Sequence, residues 1–84
     1  MDMRHLRCFV AVVEEMPFGR AAERLHLTQP AVSLAIKELE EELGVTLLER
    51  SSRRIVLTKA GEDALRDARA VLAAADTMRR RARE

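Results

Sequence analysis

FGRAAERLHLTQPAVSLAIKELEEEL, residues 18–43, is the stretch whose reading decides the fold. It reads as two helices meeting at a tight turn just before Thr28. Thr28 is placed to cap the second helix, accepting a hydrogen bond from one of its first free amides. Pro30 suits the first helical turn, where a missing amide costs nothing. It also biases Gln29 away from the α conformation, which leaves the boundary open by a residue. Val32, Ile36, Leu39 and Leu43 then recur at helical spacing and form a stripe that needs a core. A rotation of about 100° per residue sets Pro30, Ser33, Leu34 and Lys37 on the opposite face. No acid stands between Arg24 and Lys37, whereas Glu38, Glu40, Glu41 and Glu42 crowd the far end. Free amides, a hydroxyl cap and a nearby lysine favour a phosphate at the helix start, and the acidic half repels one. The arrangement predicted is a helix-turn-helix whose second helix enters a nucleic-acid groove by its first two turns. Taken alone, the stretch fits an ordinary capped surface helix as well.

On the N-terminal side, Leu6, Phe9, Val10 and Val13 predict an amphipathic helix over residues 3–15. Cys8 lies off that stripe and is expected to be a partly exposed bystander. Met16-Pro17-Phe18-Gly19 breaks the helix. A short second helix follows with Ala21, Ala22 and Leu25 inward, and Leu27 joins the core from the turn. On the C-terminal side, Gly44 stands where a left-handed residue ends a helix. The period then changes. Two extended segments, residues 45–49 and 55–57, flank the basic run RSSRR, which suggests a β-hairpin wing, although a solvated loop fits that segment equally. Arg50, Arg53, Arg54 and Lys59 share a window, residues 50–59, that holds no acid. Such a local cluster, placed after a helix-turn-helix, points to a minor-groove or backbone contact.

Thr58 caps a last helix, with acids in its early turns and arginines at its end, both matching the macrodipole. Ala64, Ala68, Val71, Ala75 and Met78 form its stripe, which Leu65 and Leu72 widen. From Lys59 to about Arg83 it would run about 35 Å, more than so small a domain can cover. It is expected to fold over the first helix only at its N-terminal part and to pair beyond that with its own copy. Arg79-Arg80-Arg81 reads as a solvated helix end.

The function classes excluded are several. Eighty-four residues with two Phe and no Trp or Tyr make one small domain, burying about 60% of its unfolded surface. A net charge of +1 says less about partners than the clustering does. The single cysteine excludes an internal disulfide, and no Cys/His spacing suggests a metal or other cofactor. The apolar run from Cys8 to Val13 is too short to span a membrane and has no signal-peptide layout, so a cytoplasmic chain is expected. His5 and His26 lack a nucleophilic partner, no glycine-rich phosphate loop occurs, and Glu40-Glu41-Glu42 reads as a solvated face. Nothing here is an enzyme.

These pieces together resemble the N-terminal DNA-binding part of a LysR-type bacterial transcriptional regulator. The likeness rests on LRCFVAVVEE, on FGRAAERLHLTQPAVSLAIKELEEELGVTLLER and on LTKAG, and covers nearly the whole chain. It implies a mainly α winged helix-turn-helix over residues 1–58, followed by a linker helix over residues 59–84 that forms dimers. It implies base reading, with double-stranded DNA as partner, by Gln29, Pro30, Ala31, Ser33 and Leu34. Thr28 and Lys37 stand nearby, and Arg50, Arg53 and Arg54 sit on the wing, where Arg53 takes the place of the family's wing arginine. Ala64, Leu65, Ala68, Val71, Leu72, Ala75 and Met78 would face the second copy on an interrupted palindromic operator. Full-length members continue into an effector-binding domain for a small molecule and often form tetramers, so the chain is expected to be a fragment. Two departures stand out. Members often carry Arg at position 34, where an apolar contact, for instance with a thymine methyl, is expected from Leu34. At position 17, Pro replaces a Ser-type cap, so the second helix is expected to begin late or fray. A molybdate-regulator-like winged helix and a helical dimerisation module without DNA binding are the alternatives.

Overall fold

Asp2 starts the first helix, α1 (Met3–Glu15), through a reciprocal cap: its carboxylate accepts from the His5 N–H (3.1 Å) while its own N–H donates to His5 Nδ1 (3.2 Å). The computed structural model describes residues 1–51 and 54–84. After α1 come α2 (Phe18–Leu25), α3 (Gln29–Leu43), strands β1 (Leu48–Arg50) and β2 (Ile55–Leu57), and the long α4 (Lys59–Ala82). The strands form one antiparallel hairpin with Leu48 opposite Leu57 and Arg50 opposite Ile55. The architecture is the winged helix-turn-helix plus long helix that the sequence predicts.

α1 is the hub. It packs against α2, α3 and α4, which buries Leu6 and then every residue from Cys8 to Val12. This corrects the expectation for Cys8: with helices on several sides, a residue off the main stripe is covered too, and Cys8 is 0% exposed. Burial raises its thiol pKa, so it remains a neutral core residue. Phe9, Val12, Val32, Ile36, Leu39 and Leu47 are the other large, fully buried side chains. His5 adds a polar tie: its Nδ1 accepts from the Asp2 N–H, and its Nε2 lies 3.2 Å from Glu38 Oε1 of α3.

Pro17 does not delay α2. The helix begins at Phe18 with no side-chain cap, and the Pro17 carbonyl accepts from the Arg20 and Ala21 amides instead. His26, a non-glycine residue, closes α2 in the left-handed region (φ 57°), with the Leu27 N–H donating to the Ala22 carbonyl. Gly44 closes α3 as expected (φ 71°). The first strand is shorter and later than expected, Leu48–Arg50, because residues 45–47 serve as a connection back from α3.

α4 is fastened to the wing by its cap. The Thr58 N–H donates to the Leu47 carbonyl (3.0 Å), its hydroxyl donates to the Thr46 carbonyl (2.6 Å), and its oxygen accepts from the Gly61 N–H (2.9 Å). So close is the approach that a Cβ on Gly61 would lie 2.2 Å from the Leu47 oxygen and 2.9 Å from Leu57 Cδ2. Farther along, Glu14 of α1 binds Arg24 of α2 (2.8 Å) and Arg69 of α4 (2.9 Å), while Glu15 adds a second bond to Arg24 (3.0 Å). Ala60, Ala64, Leu65, Ala68 and Leu72 pack on the core, and beyond them α4 runs free. No helix among the described residues is long and apolar enough to cross a membrane, and no group of His, Cys, Asp and Glu among them could hold a metal.

Two expectations follow for stability. Gly61→Ala forces a methyl into the backbone of residue 47 and should cost about 1–3 kcal/mol in chemical denaturation, as overpacking does. An unchanged midpoint would mean the contact is looser than 2.2 Å. Hydrogen bonds from Arg24 and then Arg69 hold the Glu14 carboxyl below its usual pKa. A lowered folded-state value gives a contribution present above the unfolded pKa and lost as pH falls through the folded one. Wild type should therefore exceed Glu14→Gln in thermal midpoint at neutral pH, and the gap should close as pH falls below the ordinary carboxylate range. A gap of constant size across that range would exclude the ion pairs as its cause.

Candidate nucleic-acid interface

The interface is built from the start of α3. Thr28 sits in extended conformation, and its Oγ1 accepts from the Ala31 N–H at 3.2 Å, so the cap read from the sequence is present. Pro30 falls within the first turn, where it removes a donor that would have had no helical partner. Val32, Ala35, Ile36 and Leu39 are buried beneath α1 and α2. Fixing that face inward fixes the other outward. Thr28, Gln29, Pro30 and Lys37 are exposed, Ala31 and Ser33 are half-buried, and Leu34 is 54% exposed, high for a large apolar side chain. The start of α2 lies alongside: a Cβ on Gly19 would sit 4.0 Å from Gln29 Oε1.

The wing brings its base to the same region. Arg50 places its guanidinium 4.4 Å from the centroid of the Phe18 ring at the first residue of α2. That cation–π contact orients a side chain that stays exposed. The Ser51 N–H donates to the Arg54 carbonyl (2.9 Å), closing the described part of the hairpin, and Arg54 is exposed. Arg53, the wing arginine implied by the family likeness, lies outside the described residues.

Ion pairing separates the cations into two groups. Arg24, Lys59, Arg66, Arg69 and Arg79 each lie within 3.0 Å of a carboxylate. Among the described residues no carboxylate pairs with Lys37, Arg50 or Arg54. The paired cations thus lie on α2 and α4, whereas Lys37 beside the α3 start and Arg50 and Arg54 on the wing carry no ion pair among the described residues. No carboxylate competes with an anionic partner for those three.

Sequence reasoning missed two residues. Glu40 is not part of a solvated acidic face: its Oε2 accepts from the Leu47 N–H (2.7 Å) and the Leu48 N–H (3.2 Å), so it anchors the entry to the wing. The spacing from 40 to 47 carries no local signal for this. Phe18 is the other. In the sequence it stands only in the run that breaks α1, but its buried ring seats Arg50.

On α4 the seven stripe residues divide. Ala68 is only 3% exposed and packs in this chain's own core, with Ala64, Leu65 and Leu72 partly buried against it. Ala75 is half-buried, Val71 is 39% exposed and Met78 is 68% exposed. An apolar groove of about 380 Å³ opens between α1, α3 and α4, lined by Leu6, Phe9, Leu39, Leu43 and Val71 among others.

Comparison with known proteins accords with this geometry. Residues 3–62 match the family of bacterial regulatory helix-turn-helix proteins called lysR. The chain is 56% identical over 72 residues to the HTH-type transcriptional regulator AlsR of Bacillus subtilis, covering 86% of this chain and 24% of that protein. It is 50% identical over 84 residues to the Hca operon transcriptional activator HcaR of Escherichia coli, covering 100% of this chain and 28% of the relative. The chain thus spans about a quarter of the length of these relatives. Among solved structures, the CbnR DNA-binding domain in complex with DNA superposes with a TM-score of 0.92 at 46% identity, covering 99% of this chain and 95% of that one. Sequence, fold and the exposed, acid-free start of α3 converge: the chain belongs to the LysR family of bacterial regulatory helix-turn-helix proteins, as its winged helix-turn-helix DNA-binding domain.

Proposed function

We propose that this chain binds double-stranded DNA sequence-specifically as a homodimer and that the full-length protein regulates transcription. One observation carries the reading: an outward α3 face free of acid, with an exposed Gln29, Pro30, Leu34 and Lys37, stands beside the unpaired Arg50 and Arg54 of the wing. Residues 1–58 do the binding. Thr28, with its hydroxyl committed to the cap, presents the helix start to a phosphate. Gln29, Ser33 and Leu34 read base edges in the major groove, Pro30 and Ala31 set how closely the backbone approaches, and Lys37 takes a backbone phosphate. Arg50, Arg53 and Arg54 contact the neighbouring minor groove or backbone. Relatives such as AlsR and HcaR, named as transcriptional regulator and activator, support the regulatory role.

Residues 59–84 pair two copies. Val71, Ala75 and Met78 are the part of the α4 stripe left for a partner helix, and the groove flanking α4 lets apolar side chains of that partner extend the contact. Ala64, Leu65, Ala68 and Leu72 support α4 on its own core and meet the partner at most by their edges. Two-fold pairing implies an interrupted palindromic operator. The remaining three-quarters of the full-length protein would hold a small-molecule effector domain and complete a tetramer, acting in the cytoplasm where the chromosome is.

A gel-shift titration over salt tests the reading. The chain should retard a duplex selected from a random pool, with affinity falling steeply as salt rises. Arg53→Ala should lower the slope by about one if that side chain meets a backbone phosphate. No retardation even at low salt would leave only a dimerisation module. Leu34→Arg should add a guanine preference at one position per half-site by offering a bidentate donor, read out by repeating the selection with the variant. The same selected sequence for both proteins would remove Leu34 from the reading set.

A further inference from the structure

We infer that Glu40 is a positioning residue for DNA binding, whose carboxylate sets the orientation of the wing relative to α3. The inference rests on the DNA-binding reading above and concerns how its two contact elements are held together. Glu40 follows the buried Ile36 and Leu39 on α3, so its backbone is rigidly placed. Its Oε2 takes the Leu47 and Leu48 amides at 2.7 and 3.2 Å, and its main-chain carbonyl takes the Gly44 and Val45 amides at 2.8 and 3.3 Å. Four amides of the connection from α3 to β1, those of Gly44, Val45, Leu47 and Leu48, are therefore held by one residue of α3. On its other side the same Leu47 carries a carbonyl that accepts from the Thr58 N–H at 3.0 Å. Residue 47 is thus gripped from α3 through its N–H and from the α4 cap through its C=O.

A hairpin of two three-residue strands has no fixed orientation of its own. Leu47 and Leu48 are buried and keep the wing attached, but apolar burial is non-directional. The two hydrogen bonds that the Leu47 and Leu48 amides donate to Glu40 Oε2 supply the direction. They also account for an acid on a helix whose other face awaits an anionic ligand: this carboxylate is consumed inside the fold. Removing it leaves two part-buried amides without their acceptor while the apolar anchors remain. The chain should then stay folded, with α3 still able to read bases and the wing no longer aimed.

The test is a cycle on the complete 84-residue chain. Wild type, Glu40→Ala and Glu40→Gln are each made with and without Arg53→Ala plus Arg54→Ala. The salt slope of binding is measured on one duplex selected by wild type from a random pool, with circular dichroism confirming the fold. In wild type, loss of the wing arginines should lower the slope by about one to two. In Glu40→Ala the slope should already be lowered, and removing the arginines should change it no further. Glu40→Gln, which keeps an acceptor oxygen, should behave like wild type. Base preference at the positions α3 reads should be the same in all. A merely structural role would leave the arginine effect at full size in folded Glu40→Ala, and that result overturns the inference. If Glu40→Ala does not fold, Glu40→Met, of similar length without an acceptor, replaces it, and failure of both makes Glu40 a folding residue and ends the positioning role. If wild type selects no duplex, the DNA-binding reading itself falls. If it does select one, but the wing arginines do not affect the slope, that reading stands through α3 and only the positioning role is lost.

Discussion

The rotation of α3 about its own axis is the constraint on which the exposed face depends. Val32, Ala35, Ile36 and Leu39 are sealed against α1 and α2. With about 3.6 residues per turn, that burial leaves no choice about where Leu34 and Lys37 point. A turn of the helix by one residue would drive Leu34 into the core and expose Ile36, at a cost of about 1.5–3 kcal/mol for each large side chain brought into water. The proposed reading face is therefore positioned by buried residues, and Thr28 adds only the end point by capping the first turn. α1 matters for the same reason: it is the surface against which α3 is registered.

How far this was legible depended on whether the signal was local. Helical period, the Thr28 and Thr58 caps, the Gly44 terminus and the basic hairpin are all written within a few neighbouring residues, and the elements appear where those signals put them. What escaped involved partners distant in sequence. Cys8 reads as partly exposed because the stripe of α1 predicts one covered face, whereas α1 packs against three helices and Cys8 is buried. Glu40 sits in a run of acids that looks solvated, and only folding brings the Leu47 and Leu48 amides to it. Gly61 shows no turn signal at all; its lack of a side chain is required by the oxygen of Leu47, fourteen positions earlier. The second strand was placed to the residue and the first was not, since β-branched Ile55-Val56 marks an extended segment while Leu47-Leu48 does not distinguish a connection from a strand.

Electrostatics completes the division of labour. A formal charge of +1 would suggest indifference to polyanions, yet several of the acids quiet cations that serve the fold. Glu14 and Glu15 hold Arg24, and Glu14 also holds Arg69. Asp63 takes Lys59 and Arg66 and keeps its own carboxyl below the usual range through those contacts, Lys59 first. Lys37, Arg50 and Arg54, around the α3 start and the wing, are among the cations with no ion pair in the described residues. Net charge averages over both populations and hides the local field that a phosphate backbone would meet.

The same partition fits the proposal that one helix serves the domain and a second copy at once. The first half of α4 is consumed: Gly61 abuts the wing, and Ala64, Leu65, Ala68 and Leu72 lie on the core. The second half carries Ala75 and Met78 past the edge of the domain, with Val71 exposed beside the apolar groove, in a molecule 48 Å long and 26 Å across. A stripe that changes from covered to open along a single rigid rod transmits geometry. Whatever angle two such rods adopt, each reading face follows it, because Thr58 and Gly61 lock the rod to the wing while Glu40 locks the wing to α3. Flexibility at that joint would decouple half-site spacing from the pairing of the helices, and the density of hydrogen bonds around Leu47 is what opposes it.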